Sequence, residues 1–439
     1  MMSQLYCGAG RAEITPPKEM APLLPGLGPQ KITGILDPLF VRIILIQSGQ
    51  DKAMLVSVDL DKAPNQEEFL EALSEKTCVP KEAILYFGIH THTAPVMGYR
   101  PFEPLDVEKL PEEEQKAFYE YTDLIKKGLL KAAKEAAAGL KPAKIGCGHG
   151  ESFINVNRIC SYEAENEQGD KKKLIETGYN GAGPVSRDVF VMRIESLSGE
   201  PIAFFVNYAC HNVVMFLHDA GDGGIHISHD MGGAVSLNLE KRYPGAVAVW
   251  SSGAAGDLNP IMATQNYFPH ISSGRADLTP FKDFSMSVEL RDRLAGRHLL
   301  DILEANKKIV CDVQNGEIYS ALAFISVPEG EQRDEDAWSH SRIRLHLVNI
   351  GEIAFIGVNG ELFCSLGEII KQSSPKKDTV VINHDCSLML DNPGYVLDDD
   401  TNALCKKADL VLTPHDGFKA HAGYLLEQLS IKTKELFEK

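Results

Sequence analysis

The chain has 439 residues, 44% hydrophobic and 24% charged, a balance that suits a folded protein with a sizeable core and excludes a disordered or fibrous one. Its formal net charge of −17, with no Lys/Arg stripe, excludes the basic face that a nucleic-acid partner requires. No apolar run reaches the ~18 residues of a membrane-spanning helix.

At the N-terminus, Met1-Met-Ser-Gln-Leu-Tyr-Cys-Gly has no basic leader ahead of an apolar stretch, so a cytoplasmic protein is expected. Leu39 to Gln47, Ala53 to Val58 and Ile84 to Ile89 are dense in Val, Ile and Leu, as strands buried on both faces should be. The third stops at His90-Thr-His-Thr-Ala-Pro, and a helix starting near Gln66 precedes it. From Pro111 to Leu140, Phe118, Tyr121, Ile125, Leu129, Ala132 and Ala136 recur at helical spacing and predict one long amphipathic helix closed near Gly139. Residues 161 to 187 are polar, Gly-rich and aperiodic, which predicts a lid or excursion.

Strands resume at Val189 to Glu195 and Ile202 to Tyr208, the second running into Cys210-His211. A Gly- and His-rich loop, Asp219 to Gly233, leads into a helix ending near Lys241, then a short strand from Ala246 to Trp250. A helix from Met286 to Lys307 precedes strands at Tyr319 to Ile325 and Arg342 to Gly357; Glu361 is expected to open the next helix, and Ala422 to Phe437 forms the last. With no repeat and no linker, the expectation is an α/β protein of mixed sheets flanked by helices, residues 1–439 forming one domain. The nine cysteines are scattered, never spaced CxxC, and suit reduced core thiols.

Alternation along a strand would send His90 and His92 to the same side, a common start to a metal site. His211 follows one strand and Glu361 another, and functional groups in sheet proteins gather where strands run out into loops. Three imidazoles and a carboxylate at strand ends suit zinc with one position open to water or substrate. Asp230 and Asp257 lie in Gly-rich turns, where a carboxylate more often binds its own backbone than orients an imidazole. His226 and His229 read as rim residues.

Along nearly the whole chain these segments resemble the neutral/alkaline, non-lysosomal ceramidase family. Gly8-Ala-Gly-Arg-Ala-Glu-Ile-Thr-Pro is similar to the family's opening stretch, and Val56-Ser-Val-Asp59 follows in order. His90-Thr-His-Thr-Ala-Pro resembles its His-Thr-His-Ser-Gly-Pro motif, Asn155-Val-Asn-Arg158 its Ile-Asn-Arg, and Asn207-Tyr-Ala-Cys-His211 its second metal histidine. Ile227-Ser-His-Asp230, Gly360-Glu361 and Gly394-Tyr395-Val396 complete the series. The resemblance implies that His90, His211, Glu361 and Tyr395 hold zinc, with His92 and Arg158 beside the substrate carbonyl.

Two departures bear on function. Where ceramidases read Gly-Asp-Val-Ser-Pro, this chain has Gly256-Asp-Leu-Asn259-Pro, and Asn259 has no hydroxyl to activate. The family's additional C-terminal β domain has no counterpart within these 439 residues. The expectation is therefore a zinc-dependent hydrolase using metal-activated water on an amide or ester of a small or medium polar substrate, with Asn259 donating to the oxyanion alongside His92 and Arg158. The alternatives are lyase, isomerase or glycoside-cleaving chemistry on a sugar at the same metal, and a binding protein that shares only the fold. Partners are expected to be a small-molecule substrate and neither nucleic acid nor a membrane span; a homo-oligomer would be the common state for a soluble enzyme of this size.

Overall fold

The computed structural model describes residues 3–27, 31–64, 66–97, 99–100, 103–165, 171–216, 218, 220–263, 284–326, 342–388, 393–411 and 423–438. The runs dense in Val, Ile and Leu supply most of an eight-stranded mixed sheet, which Leu5–Glu13 and the Gly-containing Lys141–Glu151 complete. Its strands, in spatial order, are Val247–Ser252, Pro201–Tyr208, Asp188–Ser196, Lys141–Glu151, Leu5–Glu13, Phe40–Ser48, Asp51–Val58 and Ile84–Gly88. A four-stranded sheet of Ile318–Ile325, Ile343–Ile350, Ile353–Val358 and Asp378–Ile382 lies against it.

Alternation decides which layer each side chain joins. Ile44, Ile46, Leu55, Phe87, Met192 and Phe205 point from the large sheet to Val348, Phe355 and Val380 of the small one. Their neighbours Val41, Ile43, Leu45, Met54 and Val56 point the other way, under the helices Gln66–Thr77 and Glu112–Ala138. Val191, Phe204, Val206 and Trp250 lie likewise under Asp230–Arg242 and Phe284–Lys307. Cys364–Ser373 and Tyr424–Glu435 cover the outer face of the small sheet. The layers therefore run helix, sheet, sheet, helix, and strands such as Phe40–Ser48 and Pro201–Tyr208 are buried on both faces because each face meets another layer. Gly8 and Gly10 have a packing reason: a Cβ on either would lie within 2.2 Å of a carbonyl oxygen, Ala136 O or Ala132 O, of the long helix. None of the helices among the described residues is long and apolar enough to cross a membrane.

Four sequence expectations change. The polar stretch 161 to 187 is not an aperiodic lid at its start: Asn155–Glu165 and Lys171–Asn180 pair antiparallel, with Leu174 opposite Tyr162 and Thr177 opposite Ile159. This hairpin contributes only Ile159, Ile175 and a few neighbours to a small satellite core, so main-chain hydrogen bonds rather than an apolar pattern define it. The run Arg342 to Gly357 is two strands, turned at Gly351 with φ +61°. Glu361 does not open a helix: Glu361–Leu362 pairs in parallel with Tyr395–Val396, and the helix begins at Cys364. The turn from Asp219 to Gly233 also contains a strand, Ile225–Ile227, beside Ile32–Ile35.

Candidate metal centre

The apolar strand Ile84–Gly88 ends two residues before His90, whose backbone turns left-handed at φ +66°. That conformation costs a non-glycine residue ~1–2 kcal/mol, so the surroundings must hold it. They do: His90 N donates to Leu60 O at 3.0 Å, Asn212 Nδ2 to Ile89 O at 2.5 Å, and His92 N to Asn212 O at 3.3 Å. Thr91 faces away and donates to Ser228 O at 2.7 Å. His90 and His92 thus share a side as the sequence leads one to expect, through a turn beyond the strand rather than strand alternation.

His211 lies past Pro201–Tyr208, where its Nδ1–H donates to Leu258 O at 3.0 Å and leaves the Nε2 lone pair facing inward. Glu361 N donates to Gly394 O at 2.8 Å, which sets Glu361 beside Tyr395. The result is a buried convergence. Nε2 of His90 lies 3.1 Å from Nε2 of His92 and 3.5 Å from Glu361 Oε2, and His211 Nε2 lies 3.3 Å from the same oxygen. The Tyr395 ring is parallel to that of His211, with centroids 6.4 Å apart.

Charges are strongly perturbed here. Burial lowers the basicity of His90, yet the carboxylates of Glu361 and Asp61 outweigh it and push the ring up to about 9. His211 is pushed down to about 3 by burial, by Arg158 and by His90. Burial works against ionised Glu361, but His90 and His211 hold its carboxyl well below the usual range. Burial and the Glu361 charge push the Tyr395 phenol up, so it keeps its proton.

The donor set fits a divalent ion. Among the described residues, His211 Nε2, Glu361 Oε2, His92 Nδ1 and both nitrogens of His384 are buried without an aligned hydrogen bond. Each such group left unpaired costs ~1–3 kcal/mol, so several in one pocket argue for a cation among them. Zinc bonded to nitrogen and oxygen at about 2.0–2.1 Å places tetrahedral ligand atoms roughly 3.3 Å apart. The separations of 3.1 to 3.5 Å already have that size.

Arg158 is buried beside the cluster. Its Nε and Nη2 donate to Gly256 O at 3.1 and 2.6 Å, its Nη1 donates to Asn259 Oδ1 at 3.3 Å, and its guanidinium lies 5.4 Å from the Tyr395 ring centre. The strand that carries it is a clamp: Asn155 donates to Ala209 O at 2.6 Å, two residues before His211, and Asn157 donates to Asp257 at 2.9 Å. Asn259, on Leu258–Pro260, is the residue after the carbonyl that orients His211. Every residue singled out for the site, His90, His92, His211, Glu361, Tyr395, Arg158 and Asn259, therefore lies in or against this cluster.

Other candidates have structural partners. Asp230 accepts from Met215 N and Met231 N, Asp257 accepts from Cys364 N, and Asp59 of the Val-Ser-Val-Asp segment pairs with buried Arg42. His226 bonds Asp222 at 2.9 Å; His229 is buried, not a rim residue, and donates to Asp230 O. Ser251 and Ser252, the hydroxyls that lie several residues upstream of Asn259 in the chain, are buried and donate to the carbonyls of Val206 and Cys210. Two residues at the centre were not anticipated. Asp61 Oδ1 lies 2.6 Å from His90 Nδ1, and the His384 ring stacks on His90 at 3.7 Å. The signal for His384 was present: it follows the apolar strand Asp378–Ile382 by two residues, as His90 follows its own.

No protein-family model matches the chain, and no curated protein matches it. Among solved structures the fold is that of the ceramidases. Neutral ceramidase from Pseudomonas aeruginosa superposes with a TM-score of 0.67 at 16% identity, covering 99% of this chain and 74% of that one. A ceramidase complexed with C2 superposes at 0.69 and 15% identity, covering 99% and 75%. At these identities the likeness is one of fold.

Proposed function

We propose that the chain is a zinc-dependent hydrolase related to the neutral ceramidases, acting on an amide or ester of a small or medium polar substrate. The observation that carries this reading is the convergence of His90, His92, His211 and Glu361 on one buried point, with contacts of 3.1 to 3.5 Å between their inward atoms and with His211 Nε2 and Glu361 Oε2 lacking a hydrogen-bond partner among the described residues. In this reading His90, His211, Glu361 and Tyr395 hold the ion, and residues 1–439 act as one catalytic domain. Zinc supplies water activation near neutral pH and polarises a carbonyl.

The side chains around it have distinct tasks. His211 is held in one tautomer by Leu258 O, which presents Nε2 and keeps the ring from turning. His92, kept neutral by burial and by neighbouring His90, can donate one N–H to a carbonyl that gains charge. Arg158 supplies positive charge nearby while Gly256 O and Asn259 fix its fork. The Asn259 oxygen accepts from Arg158, which fixes how its amide lies, and in this reading the amide helps stabilise the oxyanion. Ser251 and Ser252, tied to carbonyls inside the sheet, do not replace a nucleophilic hydroxyl at position 259.

The test is a metal-dependent screen of polar amides, esters and glycosides in ¹⁸O-labelled water. Label in the product of a chelator-sensitive reaction is the expected result; chelator-sensitive turnover without label would give the site to lyase or isomerase chemistry. Ceramide cleaved as fast as any polar substrate would overturn the substrate class. Asn259→Ala should lower turnover about a hundredfold, the scale of one lost oxyanion donor, with metal content unchanged. Unaltered turnover would remove Asn259 from the site.

A further inference from the structure

Two donor groups overlap at this centre. His90, His92 and His211 form one, and His90, Glu361 and His384 the other, with the ligand atoms of each within 4.8 Å of one another. A single zinc with an open position needs only three or four protein ligands. The cluster holds five convergent donors besides Tyr395, and the surplus centres on His384.

His384 is built into place. Its backbone is left-handed at φ +62°, a strained conformation for a histidine, and both sides of it are anchored. Asn383 N donates to Ser252 O at 3.1 Å and Asp385 N to Val358 O at 3.0 Å. The Asp385 carboxylate accepts from Arg344 Nη2 at 2.7 Å and from Ser387 N at 3.0 Å. What these anchors present is a buried imidazole in which neither nitrogen has a hydrogen-bond partner among the described residues.

The stacking decides what that imidazole can bind. The rings of His384 and His90 are 3.7 Å apart and within 16° of parallel. A nitrogen lone pair lies in its ring plane, so two parallel rings address two points and not one. Those points are separated by at least about the ring spacing, and the ligand atoms of the two rings lie within 4.8 Å of each other, which admits the roughly 3.5–4 Å between ions in two-metal hydrolytic sites. Glu361 is within reach of both rings, and a carboxylate has an oxygen for each ion.

We propose that the centre takes two divalent ions, one held by His90 and His211, the other by His384, with the Glu361 carboxylate shared between them. This rests on the metal reading above and deepens it. A paired site has affinity for the oxygens of a substrate on both sides of the bond that breaks, as a single ion does not.

The experiment is a titration of the chelator-treated protein with Co2+, followed by absorbance and calorimetry, with zinc content measured independently. Wild type should saturate at about two equivalents and His384→Asn at about one, because asparagine tolerates the left-handed backbone but lacks the imidazole. Electron paramagnetic resonance of wild type saturated with Mn2+ should show exchange coupling, a readout that depends on no variant folding. Saturation of wild type at one equivalent, or an uncoupled spectrum at saturation, overturns the second ion and leaves the single-metal hydrolase standing. Two equivalents in His384→Asn would remove His384 from the site. No binding at all would sink both readings.

Discussion

The turns that carry His90 and His384 use one backbone device and differ in what surrounds the ring. Each follows the end of a short apolar strand by two residues, one from the large sheet and one from the small. Each places a buried histidine at a positive φ, +66° and +62°. At His90 a carboxylate, Asp61, lies 2.6 Å from Nδ1, and with Glu361 it overcomes burial to push the ring up to about 9. At His384 the neighbouring carboxylate of Asp385 is taken by Arg344 and Ser387, and burial together with the His90 charge holds the ring well below its ordinary value. Strained backbone therefore marks where an imidazole is delivered; the charges around the ring decide in which direction its basicity moves.

Glu361 is the donor both turns have in common, so removing its charge should have the largest effect. Glu361→Gln is expected to cut bound metal below about a tenth of an equivalent and to lower turnover about a thousandfold or more, a loss of several kcal/mol of metal-derived stabilisation. Full metal content in that variant, by elemental analysis, would show that the two turns do not depend on a shared carboxylate. Asp61→Asn is the finer cut, because the close contacts of this carboxylate are with the His90 turn, 2.6 Å to His90 and 3.9 Å to His92. Loss of a carboxylate that orients a metal-binding imidazole typically weakens affinity about 10- to 100-fold, and that is the shift expected for the ion at His90. Competition with a chromophoric chelator would measure it. An affinity equal to wild type would reduce Asp61 to a structural neighbour.

Much of this was legible in the sequence, for reasons that particular residues make plain. The long helix showed itself through Phe118, Tyr121, Ile125 and Leu129 at helical spacing, and the inner strands through unbroken runs such as Ile43 to Ile46, because layers cover both faces. His90, His211 and Glu361 stood at the ends of such runs. His384 obeys the same rule, but its strand is five residues long and begins with Asp378 and Thr379, so its apolar core is three residues and gives little period to read. Asp61 was hidden differently: it reaches His90 across the ends of two adjacent strands, a contact that no spacing along the chain encodes. The hairpin of Asn155–Glu165 and Lys171–Asn180 was illegible because many of the side chains it buries, such as Asn155, Asn157, Arg158 and Glu176, are polar, so no apolar alternation marks its strands.

A third histidine supplies the control that the comparison needs, since both of its nitrogens are satisfied. His149, on Lys141–Glu151 and half exposed, has Nδ1 2.8 Å from Asp188 and Nε2 3.0 Å from Asp378, the first residue of the strand that leads to His384. Its hydrogen bonds to Asp188 and then Asp378 outweigh partial burial and raise it to about 9 from an ordinary 6.5. A histidine whose folded value is raised stabilises the protein fully below its unfolded value, and that contribution fades as pH rises through the folded one. His149→Ala should therefore lower the urea midpoint of chelator-treated protein at about pH 6 and leave it unchanged near pH 10. The expected shift is modest, because solvent screens a half-exposed pair. An equal loss at both pH values would mean that His149 acts by packing alone, and the contrast between a ring tied by two carboxylates and the untied ring of His384 would lose its electrostatic basis.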